Sequence, residues 1–344
     1  MKNFTFLSLF TALTFAAAMI ISGCTKEGPQ GPPGEDGQDG QDGTAGCIEC
    51  HDDSQNIFAA SIQWEASTHA TGNNFDRNGT SCAPCHTSQG FLEVLETGAE
   101  ETATAIGNPA PVNCYTCHNI HETFTPEDWA LTKTEPVEFW LNGEISDQGT
   151  GNMCTQCHQS RVPSPMWDAT TPEEEITIPQ FRWGPHHGPQ GNMIAGSGGF
   201  EIEGSASYTN SAHSNIGNSC VTCHMAEPIG NKAGGHTMKA AYSQYGSTEV
   251  NEAGCVACHE DDDLGTMMMA MEEEIDGYMA DLRDILLTRG VLDSSNYIVA
   301  ETMLMKEAGA VWNYKLVLED RSKGAHNKKY ARALLLNSIE SLEE

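Results

Sequence analysis

Twelve cysteines and six histidines of this chain fall into one repeated pattern: Cys47-Ile-Glu-Cys50-His51, Cys82-Ala-Pro-Cys85-His86, Cys114-Tyr-Thr-Cys117-His118, Cys154-Thr-Gln-Cys157-His158, Cys220-Val-Thr-Cys223-His224 and Cys255-Val-Ala-Cys258-His259. C-x-x-C-H is the attachment site of c-type haem. Its two thiols add to the two vinyl groups of a porphyrin, and the adjacent imidazole lies under the iron as proximal ligand. Paired C-x-x-C units also build four-thiolate zinc sites, and a lone C-x-x-C serves as a redox dithiol. Neither use calls for a histidine after every second cysteine, and only 13 histidines are spread over 344 residues. The pattern therefore predicts six covalently bound haem c groups.

Each iron needs a sixth ligand if it is to be six-coordinate. Seven histidines remain: His69, His121, His186, His187, His213, His236 and His326. Adjacent residues rarely serve two irons, so His186 and His187 count as one ligand, with the choice between them open. Six distal candidates then face six irons. His121 follows the proximal His118 by three residues, which puts both rings on one side of a local turn. It should therefore ligate a neighbouring haem and hold two porphyrins close together.

The remaining cysteine, Cys24, belongs to the N-terminus, and no pair is left over for a disulfide in a chain that otherwise reads as exported. A short basic start at Lys2 and an apolar run from Phe4 to Ile21 end in Ile21-Ser22-Gly23-Cys24. A retained transmembrane anchor is the competing reading, but no strongly basic flank follows the run. The tail resembles the bacterial lipobox. That resemblance implies a signal peptide over 1–23, acylation of Cys24 and, with Thr25 rather than Asp after it, an outer-membrane lipoprotein facing the periplasm or the cell surface.

Residues 24–46 read as a tether. Gly28, Gly31, Gly34, Gly37, Gly40, Gly43 and Gly46 recur at every third position, the collagen-like G-X-Y pattern. The acidic residues after Pro33 would repel one another in a short triple helix. An extended spacer thus competes with local trimerisation, through which a homo-oligomer or filament would form.

About 300 residues are left to hold six haems, so the cofactors must supply much of the core. The formal charge of −31 makes nucleic acid and anionic lipid headgroups poor partners, and favours basic redox proteins, metal cations or minerals. The motif region 47–263 is punctuated by Pro, Gly, Asn and Thr and reads as short helices within loops. From Leu264 the pattern turns helical. Leu264, Met268, Met271, Ile275, Tyr278, Leu282 and Ile285 recur at helical spacing up to a stop at Gly290, a second stretch runs from about Asn296 to Leu318, and a third follows Asn327. Met267, Met268, Met269 and Met271 read as core packing rather than haem ligands. The expected fold is mainly α with extensive loops, a haem-packed multihaem cytochrome closed by the C-terminal helices of 264–344.

Taken together, these motifs resemble a bacterial multihaem cytochrome c lipoprotein. The stretch from Ala310 to Leu335, which contains Gly324-Ala-His326-Asn327, is similar to the helical end of the superfamily of pentahaem nitrite reductase, hydroxylamine oxidoreductase and the tetrahaem nitrifier cytochromes. The resemblance implies that His326 is a ligand. Trp64-Glu-Ala-Ser-Thr-His69, Tyr208-Thr-Asn-Ser-Ala-His213 and Gly234-Gly235-His236 are similar to distal-ligand segments of such proteins. Two departures weigh against their enzymology: no C-x-x-C-K motif is present, and there are six motifs rather than eight.

An enzyme needs an iron with an open position, which a full set of bis-histidine haems lacks. The expectation is an electron carrier without a catalytic residue, working in respiratory or extracellular electron transfer with other redox proteins or extracellular acceptors. The alternative is a multihaem oxidoreductase with one open haem that reduces nitrite, hydroxylamine or a related small oxyanion.

Overall fold

Caps written into the sequence set the limits of the longer helices in the computed structural model, which describes residue 51 and residues 56–72, 74–260 and 262–343. Helix α1 spans Asn56–Glu65 and α2 spans Ser88–Thr97. Thr87 opens α2 by accepting from Gly90 N at 2.9 Å, and Gly98 ends it in the left-handed conformation at φ 69°. Helix α3 runs Leu264–Arg289, capped by Asp263 and stopped by Gly290 at φ 76°. Helices α4, Met305–Asp320, and α5, Lys328–Glu343, complete the set.

Four of the motifs start on or run through short helices, as expected: Ala83–His86, Cys114–Cys117, Asn152–Thr155 and Ser219–His224. Three two-stranded antiparallel pairs supply the strands of the described residues. One of them ties the motif region to the closing helices by pairing Glu175–Thr177 with Thr302–Leu304. With 42% helix and 8% strand, the mainly α reading holds.

The protein core is lopsided. Its buried apolar cluster draws on residues from Leu141 onward, chiefly Trp183, Met193, Phe200, Leu282, Trp312, Leu316 and Leu334. Helix α4 is buried almost all round, and its buried polar side chains find partners. Asn313 takes Phe200 N and gives to Phe200 O, while Lys315 Nζ reaches Trp183 O at 3.1 Å. Among the described residues before Val137, by contrast, the buried apolar side chains are Ala83, Pro84, Phe91, Val94 and Pro109. That sparse interior is what cofactor-supplied packing would require.

Two expectations need correction. The second closing helix begins at Met305 and not near Asn296. Asp293 Oδ1 accepts from Ser295 N at 2.8 Å and Tyr297 N at 2.9 Å, making a turn with Asn296 at φ 62°. Nor is the methionine stripe core: Met267 is 44% exposed, Met269 is 66% exposed, and Met268 and Met271 are half-buried. The first turns of α3 run past the residues that pack on it. Lys323 reaches it at Glu272 and Asp276, and Gly324 meets it beside Met271 and Ile275.

No described helix is long and apolar enough to cross a membrane. The leader, Cys24, the G-X-Y tether, Cys47 and Cys50 lie outside the described residues.

Candidate haem centres

Every motif histidine faces one surplus histidine from another part of the chain. Ring centroids are 6.2 Å apart for His51 and His121, 6.4 Å for His86 and His186, and 6.3 Å for His118 and His236. They are 6.2 Å apart for His158 and His69, for His224 and His326, and for His259 and His213. A metal–nitrogen bond of about 2 Å, with about 1.1 Å more from that nitrogen to the ring centre, puts two trans imidazole centroids roughly 6.2 Å apart. The six gaps thus have the width of one metal atom between two imidazoles.

Local bonding orients the rings. Nδ1–H donates to Trp129 O from His118 at 2.7 Å, to Gln190 Oε1 from His158 at 3.0 Å, to Ala325 O from His213 at 2.5 Å and to Met238 O from His224 at 3.0 Å. His259 and His326 meet the carboxylates of Asp262 at 2.7 Å and Asp320 at 2.6 Å. With Nδ1 committed, Nε2 is the nitrogen left to carry a metal. Burial keeps several rings neutral, as a ligand must be. It pushes His69 down to about 4 with help from His158, and His186 down to about 4 with help from Arg161, His187 and His86. For His326 burial also disfavours the charged form, but the Asp320 carboxylate outweighs it and the pKa rises.

The distal residues are held by short loops. His121 and His186 both stand at positive φ, 66° and 70°, an uncommon region for a side chain with Cβ. His121 N donates to buried Asp128 at 2.8 Å, and Asp128 also takes Thr123 N and Phe124 N. Burial pushes that carboxyl up, but the hydrogen bonds from Thr123, Phe124 and His121 hold it below its usual range. The i,i+3 turn expected between His118 and His121 is therefore a loop. His118 pairs with Leu131 as an isolated β-bridge, and the two rings point to different partners.

The segments around His69 and His236 brace each other. Gln63 Oε1 accepts from His236 N at 2.9 Å, and Lys239 Nζ donates to Ala66 O at 2.6 Å.

Of the adjacent pair, His186 is the one that faces a motif histidine. His187 has its side chain 71% exposed and bonds Glu319 at 2.7 Å. Gln190, Asp262, Asp320 and the carbonyls of Trp129, Met238 and Ala325 escaped sequence reasoning. Only Asp262, three residues after His259, carried a local signal.

The ten described cysteines are free of disulfides. In the sequence two cysteines three residues apart precede each motif histidine, the donor set that covalent haem attachment uses, so residues and spacing both fit that cofactor.

No family model matches this chain, and neither does any curated protein. The fold is similar to the crystal structure of the outer cell wall cytochrome OcwA, with a TM-score of 0.52 and 23% identity, over 81% of this chain and 49% of that one. The chain thus spans about half the length of that cytochrome. The likeness establishes a mainly helical, multihaem-cytochrome-like fold.

Proposed function

We propose that the protein is an electron-transfer cytochrome carrying six bis-histidine haem c groups. One observation carries this reading: each of the six motif histidines is matched with a different surplus histidine at the separation one iron requires. Cys47, Cys50, Cys82, Cys85, Cys114, Cys117, Cys154, Cys157, Cys220, Cys223, Cys255 and Cys258 attach the haems. His51, His86, His118, His158, His224 and His259 bind below the irons, and His121, His186, His236, His69, His326 and His213 bind above them in that order. When bound, each haem would supply a one-electron Fe(III)/Fe(II) couple. The chain's own residues fix the ring tautomers, exclude a sixth exogenous ligand and hold neighbouring sites close together.

In this reading the protein works outside the cytoplasm, tethered by acylated Cys24, and exchanges electrons with redox proteins or extracellular acceptors. Similarity to an outer cell wall cytochrome supports that setting. Mass spectrometry of the mature protein should show six haem additions that survive denaturation. Electron paramagnetic resonance of the oxidised form should be low-spin throughout, with no rapid binding of carbon monoxide after reduction. A high-spin iron in the wild type, together with turnover of nitrite or hydroxylamine, would overturn the carrier reading in favour of an oxidoreductase.

A further inference from the structure

The six ring pairs share a separation but not a twist. Two imidazoles on opposite sides of one metal lie along the same axis, so the angle between their planes is the turn of one about that axis relative to the other. It is 63° for His158 and His69, 78° for His86 and His186, and 90° for His259 and His213. It is 37° for His51 and His121, 41° for His224 and His326, and 43° for His118 and His236. None of the six lies between 43° and 63°.

In one pair from each group both rings are tied through Nδ1. His259 Nδ1 lies 2.7 Å from Asp262 Oδ2 and His213 Nδ1 lies 2.5 Å from Ala325 O, which holds the 90° crossing. His326 Nδ1 lies 2.6 Å from Asp320 Oδ1 and His224 Nδ1 lies 3.0 Å from Met238 O, which holds the 41° one. Hydrogen bonds of the chain therefore set the twist, which is otherwise free to change by rotation about the metal–nitrogen axis.

The consequence is electronic. The filled π orbital of an imidazole raises the iron d orbital that extends across its ring plane. Rings near one plane raise the same member of the dxz/dyz pair and split it, whereas crossed rings raise both members alike. A low-spin ferric ion has three electrons in that pair and gains from the splitting, because two of them take the lower orbital. The ferrous pair is full and gains nothing. Crossed rings thus favour the ferrous state relative to aligned ones, and their nearly degenerate pair gives the ferric ion a strongly anisotropic low-spin resonance.

We infer that this chain makes two kinds of site from one ligand set. High-twist sites are His86/His186, His158/His69 and His259/His213, and low-twist sites are His51/His121, His118/His236 and His224/His326. Of the two sites with both rings tied, His259/His213 has the higher midpoint potential, so an electron shared between them resides there. The neighbouring carboxylates act in the same direction. Asp320, beside His326, has a side chain only 2% exposed, whereas that of Asp262, beside His259, is 50% exposed and screened by solvent and salt.

This inference rests on the haem reading proposed above, and the two can fail separately. Low-temperature electron paramagnetic resonance of the oxidised, haem-loaded chain should resolve two families of low-spin signal, strongly anisotropic and rhombic, with three haems in each. Six low-spin haems in a single family would overturn the inference and leave the haem reading intact. Fewer than six haems, or a high-spin iron, would overturn both.

Variants of Asp262 tie one signal to one site. Asp262→Ala frees the His259 ring and should move one strongly anisotropic signal toward the rhombic family, while Asp262→Asn keeps an acceptor oxygen and should leave it in place. No movement in the alanine variant would show that the hydrogen bond does not set the twist. On stepwise reduction of the wild type, the signal so identified should vanish at a higher potential than that of the His224/His326 haem, which is recognised by its raised midpoint in Asp320→Asn. The reverse order would overturn the ranking.

Discussion

His326 Nδ1 lies 2.6 Å from Oδ1 of Asp320, a carboxylate only 3% exposed, on the far side of the ring from His224. Ser322 Oγ donates to the same carboxylate, and Asp320 O takes Gln190 Nε2 at 3.2 Å. Gln190 in turn accepts from His158. The C-terminal end of α4 therefore steadies ligands of two adjacent sites. A negative charge held against the distal imidazole increases its donation to a metal and favours the ferric state.

Asp320→Asn should consequently raise the midpoint of the His224/His326 haem and leave six haems attached. Loss of one buried charge partner corresponds to about tenfold in the Fe(III)/Fe(II) equilibrium, on the order of 60 mV for one electron. Potentiometric titration with spectral resolution of the haems checks this. An unchanged or lowered midpoint would mean that Asp320 does no more than pack the helix end.

The His86/His186 site has the opposite surroundings. Burial lowers the His86 pKa first, and the nearby guanidinium groups of Arg77 and Arg161 lower it further. Arg161 N donates to Pro185 O at 3.1 Å, beside the turn that carries His186. A positive charge there favours the ferrous state. Arg161→Gln should thus lower this haem's midpoint, with a sign opposite to that of Asp320→Asn, and the same titration reads both variants.

The adjacent histidines give a sharper contrast. His186 faces His86 at 6.4 Å, whereas His187 is paired with Glu319 and largely exposed. His186→Ala should produce one high-spin signal in the oxidised protein, together with carbon monoxide binding at one reduced iron. His187→Ala should leave the spectrum low-spin. A high-spin signal from the second variant would reverse the assignment.

Much of this site was readable from residue types and spacing because covalent attachment and ligation demand particular atoms close in sequence. The need for His121 to serve a neighbour could be argued from its closeness to His118. Its partner could not, because the other distal residues come from remote loops such as those bearing His69 and His236, and closing a long loop costs only slightly more than closing a short one. Spacing therefore says little about which ring meets which. The methionine stripe misled for a related reason. Helical periodicity identifies one face of α3 but not how far along it the neighbours reach, and Met267 and Met269 lie past them. Near Asn296, the turn chemistry of Asp293 outweighed an apolar pattern that continued too early.

The proposed anchor makes a separate prediction, since Cys24 lies outside the six C-x-x-C-H motifs. Cys24→Ser should leave all six haem additions in place and move the protein from the membrane fraction to the soluble one. Continued tight membrane association would show that something other than acylation holds it.

The loop that presents His236 depends on glycine in a way that can be tested. Gly234 and Gly235 stand at φ 72° and 49°, and a Cβ on Gly235 would come within 2.3 Å of Gln63 Oε1, the atom that accepts from His236 N. Gly235→Ala would combine left-handed strain of about 1 kcal/mol with displacement of that clamp. His236 should then draw away from His118, and the oxidised protein should gain high-spin signal from one haem. Gly230→Ala is the control. Its φ of 56° carries similar strain, but an added Cβ meets nothing within 4 Å. If both variants lose a little thermal stability and only Gly235→Ala changes spin state, the clamp between Gln63 and His236 positions the ligand. If both remain low-spin, His236 is held by the rest of its loop, and the Gln63 contact is incidental to ligation.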